Sequence, residues 1–191
     1  GCGAGGDAIT FIRRIENLDY MEAVLFLAQR AGMEMPEQAR GDEGLAKLRL
    51  RLLEANREAA RFYHKTLLTS QGEKALAYLR GRRLSDATIR HFGLGYSPDG
   101  WTGLSDFLKG KGFSEKELVQ ANLSVPRKSG GVYDRFRNRV MFPIIDLRGN
   151  VIGFGGRVME KAEPKYLNTA DTLVFNKGNG LFAMNFAKNV G

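Results

Sequence analysis

The chain has 191 residues, 43% of them hydrophobic, enough to bury one full core, or one core with a small helical appendage. Lysine and arginine number 29 against 21 aspartates and glutamates, a net charge of +8 that favours anionic partners such as phosphates. A single cysteine excludes an intrachain disulfide, His64 and His91 lack metal-ligand spacing, and no apolar run approaches a membrane span of about 18 residues.

Gly1, Gly3 and Gly6 satisfy the spacing of a dinucleotide-binding loop, but that reading is rejected, since the loop needs a strand before it and a helix after it inside a βαβ unit. Asp7 can cap a short helix through Phe11 and Ile12. Asp19 with Glu22 forms a capping box ahead of Ala23–Ala28, and Gly32 stops that second helix. Residues 36–44, rich in charge and glycine, read as a linker. From Leu45 to Leu68 the apolar positions Leu45, Leu48, Leu52, Leu53, Ala59, Phe62, Tyr63 and Leu67 predict one long amphipathic helix whose arginines form its solvated face.

Ser70 with Glu73 predicts a further capping box and a helix to Leu79, followed by Arg80, Arg82 and Arg83 on a positive corner. Ser85 to Gly93 reads as a capped helix leading into a short strand, and Pro98-Asp99-Gly100 as a turn. Trp101 to Lys109 suits a helix with Leu104, Phe107 and Leu108 inward, and Trp101 reads as a core or hinge aromatic. Ser114 and Glu117 cap the helix through Ala121.

The stretch from Tyr133 to Val158 carries the functional signal. Read as an extended strand, Arg135, Arg137 and Arg139 share one face while Phe136, Val140 and Phe142 occupy the other. The Gly149-Asn150 pair then turns the chain into Val151–Val158, making a hairpin. Three glycines in the return strand permit close approach of a ligand or of another chain segment, with Arg157 just past them. The arginine stripe is either a solvated face or a phosphate track. Lys165, Tyr166, Asn168 and Lys177 add cations, an amide and an aromatic ring, the mixture used to bind polyanions with stacking bases.

Arg135-Phe136-Arg137-Asn138-Arg139-Val140-Met141-Phe142-Pro143-Ile144, Ile152-Gly153-Phe154-Gly155-Gly156-Arg157 and Pro164-Lys165-Tyr166-Leu167-Asn168 closely resemble the core of bacterial-type DNA primases. The resemblance implies an α+β fold, a helical bundle with a small curved sheet. It assigns residues 1–35 to the end of a zinc-binding domain, 36–44 to a linker and 45–191 to the N-terminal part of an RNA polymerase core. By the same resemblance Cys2 matches the fourth cysteine of a zinc ribbon, an orphan ligand, since structural zinc takes four. Arg83 stands where relatives often have glycine. Arg82, Arg135, Arg137, Arg139, Arg157, Lys165, Tyr166, Asn168 and Lys177 are the expected DNA- or nucleotide-binding residues.

Asp134, Asp146, Glu160, Glu163 and Asp171 form no metal-binding motif, so no catalytic residue is expected in this chain. The resemblance places magnesium or manganese ligands in a Toprim segment further along. It implies a cytoplasmic enzyme making RNA primers from ribonucleoside triphosphates on single-stranded DNA, working with a replicative helicase. A non-enzymatic single-strand binding module and a phage-type primase-helicase fit the same residues.

Overall fold

The computed structural model describes Leu27, Arg30, Ala31 and residues 37–146, 148–159 and 164–176. The chain divides into two compact units, Gly1–Leu50 and Arg51–Gly191. In the first, Leu27 and Arg30 are helical, within and just past the second expected helix, and the Ala31 N–H donates to the Leu27 carbonyl. The rest of the two early helices, Cys2 and Lys177 lie outside the described residues.

The long helix α1 (Glu37–Leu67) starts eight residues before Leu45, so residues 37–44 of the expected linker are helical. Glu37, Gln38, Ala39, Arg40 and Glu43 are strong helix formers and outweigh Gly41 and Gly44, each costing about 1 kcal/mol against alanine. The buried stripe is Leu52, Ala55, Ala59, Tyr63 and Leu67, while Leu45 is half exposed. Spacings of three and four keep that stripe on one face.

A 3-10 turn (Ser70–Gly72) leads into α2 (Glu73–Gly81), and here the expected capping box is absent: the N-cap is Gly72, and no side chain caps it. The chain folds back too tightly for the box. A Cβ on Gly72 would lie 2.4 Å from the Leu67 carbonyl oxygen. Helix α2 ends on Arg83 at φ +65, with the Leu84 N–H closing onto the Leu79 carbonyl at 3.3 Å. A left-handed non-glycine residue carries a steric penalty that glycine would not. Arg83→Gly should therefore raise stability by about 0.5–1 kcal/mol, read as a higher urea midpoint with unchanged m-value.

Helix α3 (Asp86–His91) is capped by Ser85 as expected, and β1 (Gly95–Ser97) follows. Helix α4 (Gly103–Gly110) buries Leu104 and Leu108. Its N-terminus is capped from a distance: the buried Asp134 carboxylate accepts from Leu104 N, Ser105 N and Ser105 Oγ. Burial pushes the Asp134 carboxyl above its ordinary pKa, opposed by these donors.

Helix α5 (Glu115–Gln120) carries the capping box in full, with Ser114 and Glu117 bonding reciprocally. Arg51 Nε also donates to Glu117 at 2.8 Å. That guanidinium, with the Ser114 donors, holds the Glu117 carboxyl at about 2. Because the folded value is depressed, this stabilisation is present above the usual glutamate pKa of about 4.3 and is lost as pH falls towards 2. Glu117→Gln should cost about 1–2 kcal/mol at neutral pH. Urea midpoints at pH 7 and pH 2.5 should lie closer together in the variant than in the parent.

Strands β2 (Ser124–Pro126) and β3 (Val132–Asp134) form an antiparallel pair. Strands β4 (Arg139–Ile145), β5 (Val151–Val158) and β6 (Tyr166–Asn168) join β1 in an antiparallel sheet of order β1-β4-β5-β6. The predicted hairpin is β4–β5. Its turn is held by Asp146, whose Oδ1 accepts from Arg148 N and Asn150 N, and among the described residues of the turn only Gly149 takes a positive φ, +85. The core against α2 and α3 joins Leu67, Leu79, Ile89, Leu94, Tyr96 and Val140.

Candidate nucleic-acid interface

The arginine stretch is not one strand. Between β3 and β4, residues 135–138 leave the sheet, and Asn138 takes φ +48. This reversal breaks the alternation, so Arg135, Arg137 and Arg139 do not share a face. Arg137 lies flat over Trp101, its guanidinium carbon 3.6 Å from the ring centroid. Arg135 turns the other way and donates from Nη2 to the Asn168 carbonyl at 3.4 Å. Arg139 is buried on the same side as Phe136, where a Cβ on Gly156 would lie 3.0 Å from both side chains. Its Nη1 donates to the Pro164 carbonyl at 2.9 Å, so Arg139 tethers the segment leading into β6.

The glycines of β5 admit other chain segments. A Cβ at Gly153 would sit 3.1 Å from Thr169, and one at Gly155 3.2 Å from Asn168 Oδ1. Between the two alternatives left by the sequence, close approach serves β6 packing.

Two clusters of cations and rings result. In the first, Arg157 lies 5.0 Å from the Tyr166 ring and 5.8 Å from Tyr78, Arg82 lies 5.2 Å from Tyr78, and Lys165 5.9 Å from Tyr166. The fold thus brings together Arg82, Arg157, Lys165 and Tyr166, with Asn168 on the same strand as Tyr166. In the second, Trp101 and Tyr133 meet edge to face at 5.6 Å, with Arg137 on Trp101 and Arg127 about 6 Å from both rings. A groove of about 850 Å³ opens there, lined by Trp101, Pro126, Arg127, Lys128, Ser129 and Tyr133.

Trp101 is 57% exposed. Of the two readings offered by the sequence, a core or a hinge aromatic, the core one fails: Trp101 follows the Pro98–Gly100 turn just ahead of α4 and lies on the surface. An exposed tryptophan on a turn was the available signal. Tyr78, Arg127 and Tyr133 were missed: each joins its cluster through a residue distant in sequence, Arg157 for Tyr78 and Trp101 for Arg127 and Tyr133.

Arg82, Arg135, Arg137, Arg139, Arg157 and Lys165 form no ion pair among the described residues. Burial holds the pKa of Arg135 and Arg139 below the usual arginine value, and the Nε atoms of Arg135 and Arg157 are buried without an acceptor. Buried cations lacking a counter-charge are costly, and an anionic ligand relieves that cost. Guanidinium and ammonium groups beside open aromatic faces suit a phosphate chain carrying stacked bases. For metals the fit is poor: among the described residues no three His, Cys, Asp or Glu side chains converge, and His64 Nδ1 is already bonded to the Leu94 carbonyl at 2.7 Å. Binding and charge neutralisation are what these side chains can do.

The family model for the DNA primase catalytic core, N-terminal domain, matches residues 62–188, and that for the CHC2 zinc finger matches residues 1–43. The DNA primase of Clostridium acetobutylicum is 43% identical over 100% of the chain and 32% of the relative. That of Deinococcus radiodurans is 45% identical over 99% and 32%. The chain therefore spans about a third of the length of these curated relatives. A solved DnaG primase catalytic domain bound to ssDNA superposes with TM-score 0.71 at 39% identity, covering 75% of this chain and 46% of the other. The zinc-binding and RNA polymerase domains of the Aquifex aeolicus primase give TM-score 0.61 at 34% identity over 93% and 42%. With an unpaired cationic and aromatic surface and this likeness along its length, the chain belongs to the DNA primase family.

Proposed function

We propose that this chain handles the template and the incoming nucleotide in a DNA-dependent RNA polymerase that makes primers for replication. The observation that carries the reading is the Arg137–Trp101 stack beside the Arg127–Tyr133 groove, a platform for bases next to cations for phosphates. The single-stranded DNA in a related catalytic domain supports it. Arg82, Arg135, Arg157, Lys165, Tyr166 and Asn168 form the rest of the surface, and Lys177 follows from the motif alone. Residues 1–35 belong to the zinc-binding part, where Cys2 would serve as one zinc ligand, and 45–191 to the polymerase core, joined through the N-terminal turns of α1. Magnesium or manganese would be held by carboxylates of a Toprim segment further along the protein, where it would neutralise charge during transfer. Ribonucleoside triphosphates, the RNA primer and a replicative helicase are the remaining partners, in the cytoplasm. No helix among the described residues is long and apolar enough to cross a membrane.

Trp101 is the only tryptophan, so its fluorescence reports the site directly. Adding an oligodeoxynucleotide should quench it, and affinity should fall roughly tenfold or more between about 50 and 200 mM salt if some three phosphates are contacted. Trp101→Ala should weaken binding about five- to tenfold. Salt-indifferent affinity with unquenched fluorescence would remove the basis for the reading.

A further inference from the structure

Helix α5 ends on Asn122, a non-glycine residue at φ +58. Its side-chain Oδ1 accepts from the Ala170 N–H at 2.7 Å. The next residue, Leu123, accepts the Arg135 N–H on its carbonyl at 3.0 Å. Two adjacent residues therefore grip two separate functional segments. One is the loop that carries Arg135 and Arg137; the other is the chain leaving β6 just after Asn168. Arg135 closes the ring by reaching the Asn168 carbonyl. None of the sequence motifs draws attention to this corner, and Asn122 touches no open surface cation in either cluster.

We propose that Asn122 is a positioning residue that fixes the distance between Arg135 and Asn168, so that both engage one nucleic-acid ligand together. The inference rests on the binding role proposed for Arg135. A left-handed residue at a helix C-terminus needs only glycine. Asparagine there adds an acceptor, and its effect lies in register: beside the β5–β6 pairing and the Arg139–Pro164 tether, it ties the corner that holds the Arg135 backbone to the chain just after Asn168.

Asn122→Gly keeps the backbone conformation and deletes the acceptor, while Asn122→Asp keeps an acceptor and tolerates the same φ. Five proteins are compared for oligodeoxynucleotide affinity: parent, Asn122→Gly, Asn122→Asp, Arg135→Ala and the Asn122→Gly/Arg135→Ala double variant. Amide hydrogen exchange at Ala170 and thermal midpoints accompany them. Asn122→Gly should melt within a few degrees of the parent, exchange the Ala170 amide at least tenfold faster, and bind about three- to fivefold more weakly. Beside Arg135→Ala it should add nothing, the non-additivity of residues acting as one unit. Asn122→Asp should keep Ala170 protected and, at the higher salt where its charge is screened, keep parental affinity.

Parental affinity in Asn122→Gly with weakened Arg135→Ala overturns the positioning role and leaves the binding site standing. Additive losses overturn it too, because Asn122 would then act elsewhere. If neither variant weakens binding, the role of Arg135 fails and this inference fails with it. Should Asn122→Gly melt far below the parent, Asn122→Asp decides: weak binding despite a protected Ala170 amide rejects the proposal.

Discussion

Gly95→Ala should destabilise the protein by about 3 kcal/mol or more, lowering the thermal midpoint by roughly 10 °C. Gly95 opens β1 opposite Met141 of β4, at the point where the sheet crosses helix α1. A Cβ there would lie 2.6 Å from Tyr63 Cβ, 2.7 Å from Tyr63 C and 2.9 Å from His64 N. Two of those atoms are helix backbone, which cannot rotate away. Accommodating one methyl group therefore means lifting α1 off the sheet. The lift would unpack Tyr63, fully buried and edge-on to Phe154 at 5.4 Å, and would stretch the His64–Leu94 hydrogen bond. Gly100→Ala, with open space around its Cβ, is the control and should stay within about 0.5 kcal/mol of the parent. Equal midpoints for the two variants would mean that α1 does not pack on β1 as described.

Local chemistry was legible in the sequence wherever one segment satisfies itself. The Ser114–Glu117 capping box, the Ser85 cap and the β4–β5 hairpin need only their own residues, and each formed as expected. Legibility failed where a distant segment decides. Ser70 and Glu73 have the spacing of a cap, yet the close approach of Gly72 to Leu67 replaces it with a 3-10 turn. Arg-Phe-Arg-Asn-Arg alternates as a strand does, and only the left-handed Asn138 shows that the alternation is false. Alternation records which residues are apolar. It does not record which backbone angles are occupied, so Arg139 read as a surface cation although it is a buried tether. Likewise Trp101 became a platform through Arg137, 36 positions away in sequence.

The correction to the arginine loop also changes which substitutions separate template from nucleotide. Arg135 is bonded to Asn168 and so cannot report on the template alone. Arg137, on the Trp101 platform, can. Lys165 is its counterpart on the other cluster, and its backbone is held on every side: the Lys165 carbonyl accepts Val158 N, the Pro164 carbonyl accepts Arg139, and Thr169 N donates to the Phe154 carbonyl. A fixed backbone limits the arc that the exposed ammonium sweeps beside the Tyr166 ring, which favours it for stabilising charge that develops on a triphosphate. In a primase carrying the downstream catalytic segment, Lys165→Ala should cut primer synthesis about 100-fold while changing single-stranded DNA affinity less than about twofold. Arg137→Ala should do the reverse, weakening DNA binding about tenfold and lowering its salt slope by about one contact, with synthesis at saturating template largely kept. Asn168→Ala should follow Lys165→Ala in synthesis with a smaller loss and, because Asn168 engages the strand beside Arg135, should also weaken single-stranded DNA binding. Should Lys165→Ala weaken DNA binding as much as Arg137→Ala while synthesis per bound template stays constant, Lys165 belongs to the template track, and the nucleotide must be met by Arg82 and Arg157 across the Tyr78 ring.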